Sequence, residues 1–369
     1  MSQRQNEGDN KTNLRIMQVL LGSASTILSS LFVLASAGME VRMKVAVLFS
    51  PGAGNNIQFH EVGSTLSEKL SNHKVYTCRD FYGKFYMPDA IETGSGAPSD
   101  YKKSIIYLVL SLIEYSPDLF ICVGGDGLAA YVANALILSG CPIPIMGIAG
   151  GTTNVGPIVS VQPENLKWFD PEMLTFSNAG AIRVRNGNNH VGYAFNDAVI
   201  GNTFLGTLDG KTTNLSVEAL LKKNKKVAEI PTCDITSGRL SILKNDVTAI
   251  FSITKPAQII VSPLEVDKFY GRAITGALCY SAYLPLKAAI GLSNNVLIKM
   301  DNNGITTECF TKIEHMLFGP GELVSISGLS EQVHIVLDGN PYLKEDEIVA
   351  FEYVPDFINV ARPATKTVL

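Results

Sequence analysis

Residues 119–138 read LFICVGGDGLAAYVANALIL. Five apolar residues, Leu119–Val123, run straight into Gly124-Gly125-Asp126-Gly127, and Leu128–Leu138 then has the composition of a helix. A short, continuous apolar run bounded by glycine predicts a strand buried on both faces. A helix opening directly off that strand predicts one unit of an open α/β sheet. The turn between them also carries chemistry. The first N–H groups of a helix lack intrahelical partners, and the positive helix end favours an anion such as phosphate. Glycine lets the backbone approach a ligand closely. An aspartate in such a turn, Asp126, is placed to take a proton from an attacking hydroxyl or to help hold Mg²⁺. Phosphoryl transfer needs that combination, because its catalysis is mostly positioning and charge neutralisation. Taken alone, the four residues also fit an ordinary strand-to-helix turn with a capping aspartate. The Walker A pattern is absent, which excludes a conventional P-loop.

The same rhythm continues on both sides of this unit. Lys44–Ser50, KVAVLFS, predicts a strand ending in Pro51-Gly52-Ala53-Gly54-Asn55-Asn56, which is turn chemistry. Val62, Leu66 and Leu70 predict a helix over His60–Leu70. Lys74–Cys78 predicts a strand and Tyr101–Tyr115 a helix. Ile143–Ile148 is a further buried strand that enters a second glycine turn, Gly150-Gly151-Thr152-Thr153-Asn154. Strands that end in glycine turns, with helices between them, predict a doubly wound α/β nucleotide-binding domain over residues 43–178. The rhythm changes after residue 178. Short strand candidates follow at Ala181–Val184, Val191–Ile200, Arg239–Leu243, Val247–Ile253, Gln258–Ser262, Val296–Met300, Leu323–Ser327, Val333–Leu337 and Ile348–Tyr353. Asn, Gly, Asp and Pro clusters separate them, and few helical patterns intervene. This predicts an antiparallel β domain over residues 179–369, whose last residues are candidates for returning to the first domain.

Composition limits the functions available. Thirty-four acidic residues against thirty basic ones give a net charge of -4, so the whole molecule has no electrostatic pull on nucleic acid. Lys222, Lys223, Lys225 and Lys226 form the one obvious basic cluster, read as a solvated helix end or an anion-binding rim. No two of the six cysteines have the spacing of a zinc knuckle or redox motif, which fits a reducing compartment. Cys122 and Cys141 sit in apolar runs and read as buried thiols. No two of the five histidines, His60, His73, His190, His315 and His334, stand at ligand spacing, so no zinc site is expected.

The first forty residues pose a separate question. Ile16 to Gly38 is uncharged and mostly apolar, about the length of a membrane span. Ala35-Ser36-Ala37 also resembles a signal-peptidase site. A third reading makes Met43 or Met39 the native start and residues 1–42 a start-site artefact. An enzyme that consumes ATP belongs in the cytoplasm, and Met43 directly precedes the first strand, so the third reading is preferred. A membrane anchor with a cytoplasmic catalytic domain stands beside it.

ICVGGDG resembles the glycine-rich signature shared by NAD kinases, diacylglycerol kinases and sphingosine kinases. LFSPGAGNN is similar to the first-strand phosphate turn of that superfamily. IMGIAGGTTNVG resembles its third strand and loop, and YAFNDAVIG its Asn-Glu nucleotide-binding segment. GRAITGALCYSAYLPL is similar to a drifted form of the NAD kinase TPTGSTAYSLSAGG segment. VHIVLDGNPYLKEDEIVAFE is similar to the late Asp-Gly stretch. The segments occur in the family's order and span Met43 to about Arg362. They fit best a divergent ATP-NAD kinase-like branch associated with acetoin catabolism. The chain departs from the NAD kinase pattern at Leu128, at Asp197 and at Gly276-Ala277-Leu278-Cys279-Tyr280.

The resemblance implies an N-terminal α/β domain, a C-terminal β-sandwich and an active site between them. It implies ATP and Mg²⁺ as cofactors, a small-molecule substrate (NAD or a lipid) and a homo-oligomer. Asp126 would be the base or positioning group at the acceptor hydroxyl. Gly124, Gly125, Gly127, Gly52, Gly54 and Asn55 would cradle phosphate. Gly151, Thr152, Thr153 and Asn154 would line the second turn. Asn196, Asp197 and Asp338 would contact nucleotide, Asp338 alternatively a metal. Asp197 also fits a turn or cap, and Asp338-Gly339 a tight hairpin turn. Thr203, Asp209, Lys211 and Thr212 lie in FLGTLDGKTTNL, read as a solvent hairpin or as a loop that reads the second substrate. The candidate functions are a kinase acting on the 2′-hydroxyl of NAD, a kinase acting on diacylglycerol or a sphingoid base, and a nucleotide-binding regulator without turnover.

Overall fold

Strands and helices alternate through residues 44–161 of the computed structural model. The structure describes residues 43–51, 56–94, 96–150, 154–209, 211–265, 270–278, 287–298 and 311–364. The strands are β1 (Lys44–Phe49), β2 (Lys74–Cys78), β3 (Ile91–Thr93), β4 (Leu119–Gly124), β5 (Ile145–Ala149) and β6 (Val159–Val161). The helices are α1 (Asn56–Lys69), α2 (Tyr101–Ile113) and α3 (Asp126–Leu138). These strands pair in parallel in the order β3-β2-β1-β4-β5, with β6 beside β5.

Side-chain alternation shows why both faces of this sheet are covered. Ala46 and Leu48 of β1, with Phe120 and Cys122 of β4, face the core built by α2 and α3. Phe49, pointing the other way, meets Phe59 of α1 edge-on at 5.8 Å between ring centroids. Asp100 caps α2 by accepting the Lys103 N–H at 2.8 Å, and Ile105, Leu108, Val109 and Leu112 form its buried stripe. α3 is buried over most of its length, from Leu128 to Leu136.

The rest of the chain is mostly strand: β7 (Leu174–Asn186), β8 (Asn189–Ala194), β9 (Ala198–Gly201), β10 (Thr203–Leu208), β11 (Lys211–Ser216), β12 (Thr236–Lys244), β13 (Val247–Thr248), β14 (Gln258–Pro263), β15 (Ala288–Ser293), β16 (Ile313–Phe318), β17 (Leu323–Leu329), β18 (His334–Leu337), β19 (Asn340–Tyr342) and β20 (Val349–Pro363). Two helices interrupt them, α4 (Val217–Lys223) and α5 (Tyr270–Ile274). One antiparallel sheet runs β16-β15-β14-β9-β18-β19. Its inner face, including Ile200, Ile259, Val261 and Ile290, packs on Ile182 and Val184 of β7, Ile326 of β17 and Phe351 of β20. That is a sandwich, and its second layer is continuous with the parallel sheet. β20 makes the join: Val349–Val354 pairs antiparallel with β7, as does Ile358–Pro363, and Val360 pairs parallel with Ile145 of β5.

Three predicted strands are shorter or broken, for one shared reason: side chains from elsewhere capture backbone N–H groups that a ladder would need. Val191–Ile200 divides into β8 and β9, because Asp338 accepts from the N–H groups of Phe195, Asn196 and Asp197. Val247–Ile253 reduces to β13, because Glu314 accepts from Ser252 and Ile253. Within Val296–Met300, Leu297 and Ile298 form bends whose N–H groups donate to Gln258 Oε1 at 2.9 and 3.3 Å, and residues 299 and 300 lie outside the described residues. Cys122 is buried, but Cys141, three residues past the end of α3, is only half-buried. The Lys222 and Lys223 pair ends α4, whose C-cap Asn224 is left-handed (φ 50°). The FLGTLDGKTTNL segment is the β10–β11 hairpin. Residues 1–42, including Ile16–Gly38, lie outside the described residues. Among the described residues no helix is long and apolar enough to cross a membrane.

Candidate active site

The parallel sheet reverses its winding between β1 and β4: the chain leaves β1 towards β2 and leaves β4 towards β5. Open α/β sheets bind ligands in the crevice outside the carboxyl ends of their strands at such a point. Here Ser50 and Gly124 form the crevice floor. A Cβ on Gly124 would lie 3.0 Å from Ser50 Cβ and 2.9 Å from the Leu128 side chain, so the strand ends meet only because residue 124 is glycine. α3 opens from this floor. Its N-cap, Gly125, is extended and offers no side chain to the first-turn N–H groups, the arrangement that suits an anion.

Asp126 is the first residue of α3. Its Oδ2 accepts from the N–H groups of Val155 and Gly156, at 2.8 and 3.1 Å. The loop after β5 is thereby fixed against the helix end. A Cβ on Gly156 would stand 2.9 Å from Asp126 Oδ1 and 3.4 Å from Asn196 Cβ. Gly156 therefore lies between Asp126 and Asn196, and a side chain there would press on both.

Asp338 forms a second hub. It lies in the β18–β19 turn with Gly339, at φ 49° and 78°, the two positive φ values of a type I′ hairpin. Its carboxylate accepts from Phe195, Asn196 and Asp197 N–H at 2.8, 2.7 and 3.0 Å. The Asp338 N–H donates back to the Asp197 carbonyl at 2.9 Å. Two residues on, Asn340 Nδ2 donates to the Gly127 carbonyl at 2.9 Å. A Cβ on Gly127 would meet Asn340 Oδ1 at 3.0 Å, so this glycine faces the hairpin. The Ser262 hydroxyl, at the end of β14, donates to the Asn196 carbonyl at 2.6 Å. Residues 195–197 are thus held by both Asp338 and Ser262.

Burial dominates the electrostatics. It pushes the Asp197 carboxyl well above the ordinary range, and the nearby Asp338 and Asp126 charges push the same way. Burial raises Asp338 to about 7, although three N–H groups favour its anion. Among the described residues no lysine or arginine forms an ion pair with either group. Of the two, only Asp338 has three N–H donors that favour its anion. Burial and then the charges of Asp197 and Asp126 raise the Tyr270 phenol, which places α5 beside the carboxylates.

The structure brings together Gly124, Gly125, Asp126, Gly127, Asn196, Asp197 and Asp338 from the sequence-based set. Asn154 directly precedes the two N–H groups that hold Asp126. Gly52, Gly54, Asn55, Gly151, Thr152 and Thr153 lie outside the described residues. Sequence reasoning did not single out Val155, Gly156, Ser262, Tyr270 or Asn340. Gly156 closes a second glycine cluster only six residues after Gly150, and that spacing was the one signal available.

The fold and this site define an α/β protein whose winding-reversal crevice is faced by an antiparallel sandwich. No family model matches the chain. It is 25% identical over 314 residues to an uncharacterized protein of Archaeoglobus fulgidus, covering 81% of this chain and 92% of that one. It is similar to solved kinase structures over most of its length. A yeast NADH kinase complexed with NADH aligns at 12% identity and a TM-score of 0.49, over 89% of this chain and 85% of that one. A diacylglycerol kinase from Bacillus anthracis aligns at 12% identity and 0.47, over 89% and 98%. An NAD kinase from Archaeoglobus fulgidus in complex with ATP aligns at 14% identity and 0.47, over 88% and 94%.

Proposed function

We propose that this chain is an ATP-dependent kinase that phosphorylates a hydroxyl of a small molecule, with the 2′-hydroxyl of NAD as acceptor. The observation that carries this reading is Asp126. Its carboxylate sits at the first turn of α3, is held there by the Val155 and Gly156 N–H groups, and has only Gly156 between it and the Asn196 segment. The motif order from Met43 to Arg362 supports the same class.

In this mechanism the donor's terminal phosphates lie against the first turn of α3. The acceptor hydroxyl lies beside Asp126. Its oxygen bonds to the terminal phosphorus as the bond from that phosphorus to the bridging oxygen breaks, releasing ADP. Asp126 takes the hydroxyl proton or orients it in line. Asn196 and Asp197 contact the nucleotide. Asp338 acts through the backbone it holds, so it is a positioning residue.

The carboxylates do not form a cage for a resident ion. Among the described residues no group of three or more His, Cys, Asp or Glu side chains is arranged to hold a metal, and the Asp338 oxygens are already taken by N–H groups. Asp126 would be the protein ligand of a Mg²⁺ ion bound with the donor, and such an ion would neutralise charge on the transferring phosphates. Use of ATP would place the catalytic part in the cytoplasm, and the resemblance makes a homo-oligomer the working assembly.

The test is phosphoryl transfer from γ-labelled ATP with Mg²⁺, offered NAD, NADH, diacylglycerol and a sphingoid base. Asp126→Asn is the blank, with an expected loss of ~10²–10⁴-fold. Label in NADP, absent with the variant, supports the proposal. Label in a lipid moves the acceptor while keeping the enzyme class. Nucleotide binding with no transfer to any acceptor would replace the enzyme by a regulator.

A further inference from the structure

A site that binds a triphosphate needs fixed positive charge, yet the groups that converge on Asp126 are carboxylates, amides and glycines. One lysine stands on the rim of the same crevice. Lys102 lies in the first turn of α2, and its neighbours on both sides are tied to the phosphate turn. On one side, the Tyr101 hydroxyl is 3.4 Å from Ser50 Oγ on the crevice floor. On the other, Lys102 Nζ sits 3.9 Å from the centroid of the Tyr342 ring. Tyr342 ends β19, the strand whose Asn340 holds the Gly127 carbonyl at 2.9 Å. Ser50, Tyr101, Lys102, Tyr342, Asn340 and Gly127 therefore form a chain of neighbours that runs from the crevice floor to the first turn of α3.

The state of this lysine is unusual for a surface cation. It is half-buried, and burial lowers its ammonium from the ordinary value, Asp100 opposing. Among the described residues no carboxylate forms an ion pair with it. Asp100, the nearest acid in sequence, spends its carboxylate on the Lys103 N–H. A ring face is a weak partner for a desolvated ammonium, which would gain much more from an anion. Its four-carbon stem is flexible, so the ammonium is not bound to one position over the Tyr342 ring.

We infer that Lys102 is the cation that receives the phosphates of a nucleoside polyphosphate at the start of α3. Tyr342 serves as its resting place when the site is empty. This rests on the kinase reading for the identity of the donor, while the anion-binding role stands on the rim geometry. Lys102 is then a donor-binding residue, and Asp126 remains the group at the acceptor.

Titration calorimetry on the full chain tests this with three probes: ATP, inorganic tripolyphosphate and adenosine. Lys102→Ala is expected to weaken ATP and tripolyphosphate by about tenfold or more, the loss of one charge-assisted contact. Adenosine should bind the variant as it binds the wild type. Lys102→Arg, which keeps the charge, should retain most of the affinity and guards against a variant that merely misfolds. If Lys102→Ala binds ATP and tripolyphosphate like the wild type, the inference is wrong and the kinase reading stands. If the wild type binds tripolyphosphate through Lys102 but not ATP, Lys102 is upheld as an anion site and the ATP reading fails. If the wild type binds neither, both are overturned.

Discussion

Asp338 shows how much one side chain can decide. Its carboxylate holds three consecutive N–H groups, and those groups belong to the segment that presents Asn196 and Asp197. Two carboxyls are buried together there, so the folded chain binds a proton more tightly than the unfolded one. The sign follows from linkage. A carboxyl raised by folding contributes most stability below its unfolded value of 3.8 and loses that contribution as pH rises through its folded value, about 7 for Asp338. The urea midpoint should therefore fall between about pH 4 and about pH 7. Asp197→Asn removes the titrating partner and should flatten that fall. An identical pH slope in the variant would show that Asp197 does not contribute to the fall.

At the scale of elements, the site depends on a five-residue helix lying tightly on a strand. A Cβ on Gly271 of α5 would collide with Ser262 Oγ and would stand 2.6 Å from the Pro263 carbonyl at the end of β14. Ser262 is also the donor to the Asn196 carbonyl. Gly271→Ala should cost ~1–3 kcal/mol from overpacking against backbone. Phosphoryl transfer should fall by more than that stability loss explains, because Asn196 loses its anchor. Full activity in a destabilised variant would detach α5 from the site. Elements were legible in the sequence where burial alone specifies them. LFICV, KVAVLFS and QIIVS each give a strand because apolar residues on both faces leave little alternative. β15, AAIGLS, escaped notice because alanine and glycine give no clear pattern, although all six residues are buried. The break at Phe195–Asp197 was illegible for another reason. It is imposed by a carboxylate more than 140 residues away, and local propensity carries no trace of that partner. Asp126 was legible because its glycine-rich turn is local. The loop N–H groups that hold it were not, because backbone donors have no sequence signature.

For the molecule as a whole, β20 decides whether the two halves behave as one. Phe351, near its start, is fully buried in the sandwich core, and Val360, near its end, is fully buried against α2 and α3. A single strand that belongs to both cores should transmit loss of one to the other, and Lys44–Leu369 forms one compact unit. Trp168, the sole tryptophan, reports from the α/β side, since the turn Pro163–Trp168 packs against α1. Phe351→Ala, remote from that tryptophan in the sandwich, should cost ~3–5 kcal/mol through the cavity it leaves. If the chain folds as one unit, the Trp168 fluorescence transition and the far-ultraviolet circular dichroism transition should coincide in the wild type and shift together in the variant. If the tryptophan transition stays in place while the dichroism becomes biphasic, the halves unfold separately and β20 is only a tether. The outcome also bears on the site, because Asp126 comes from one side of β20 and Asp338 from the other. Cooperative unfolding would mean that the placement of Asp126 beside Gly156 and the Asn196 segment is as stable as the fold itself. Independent unfolding would mean that the crevice can open without either half melting.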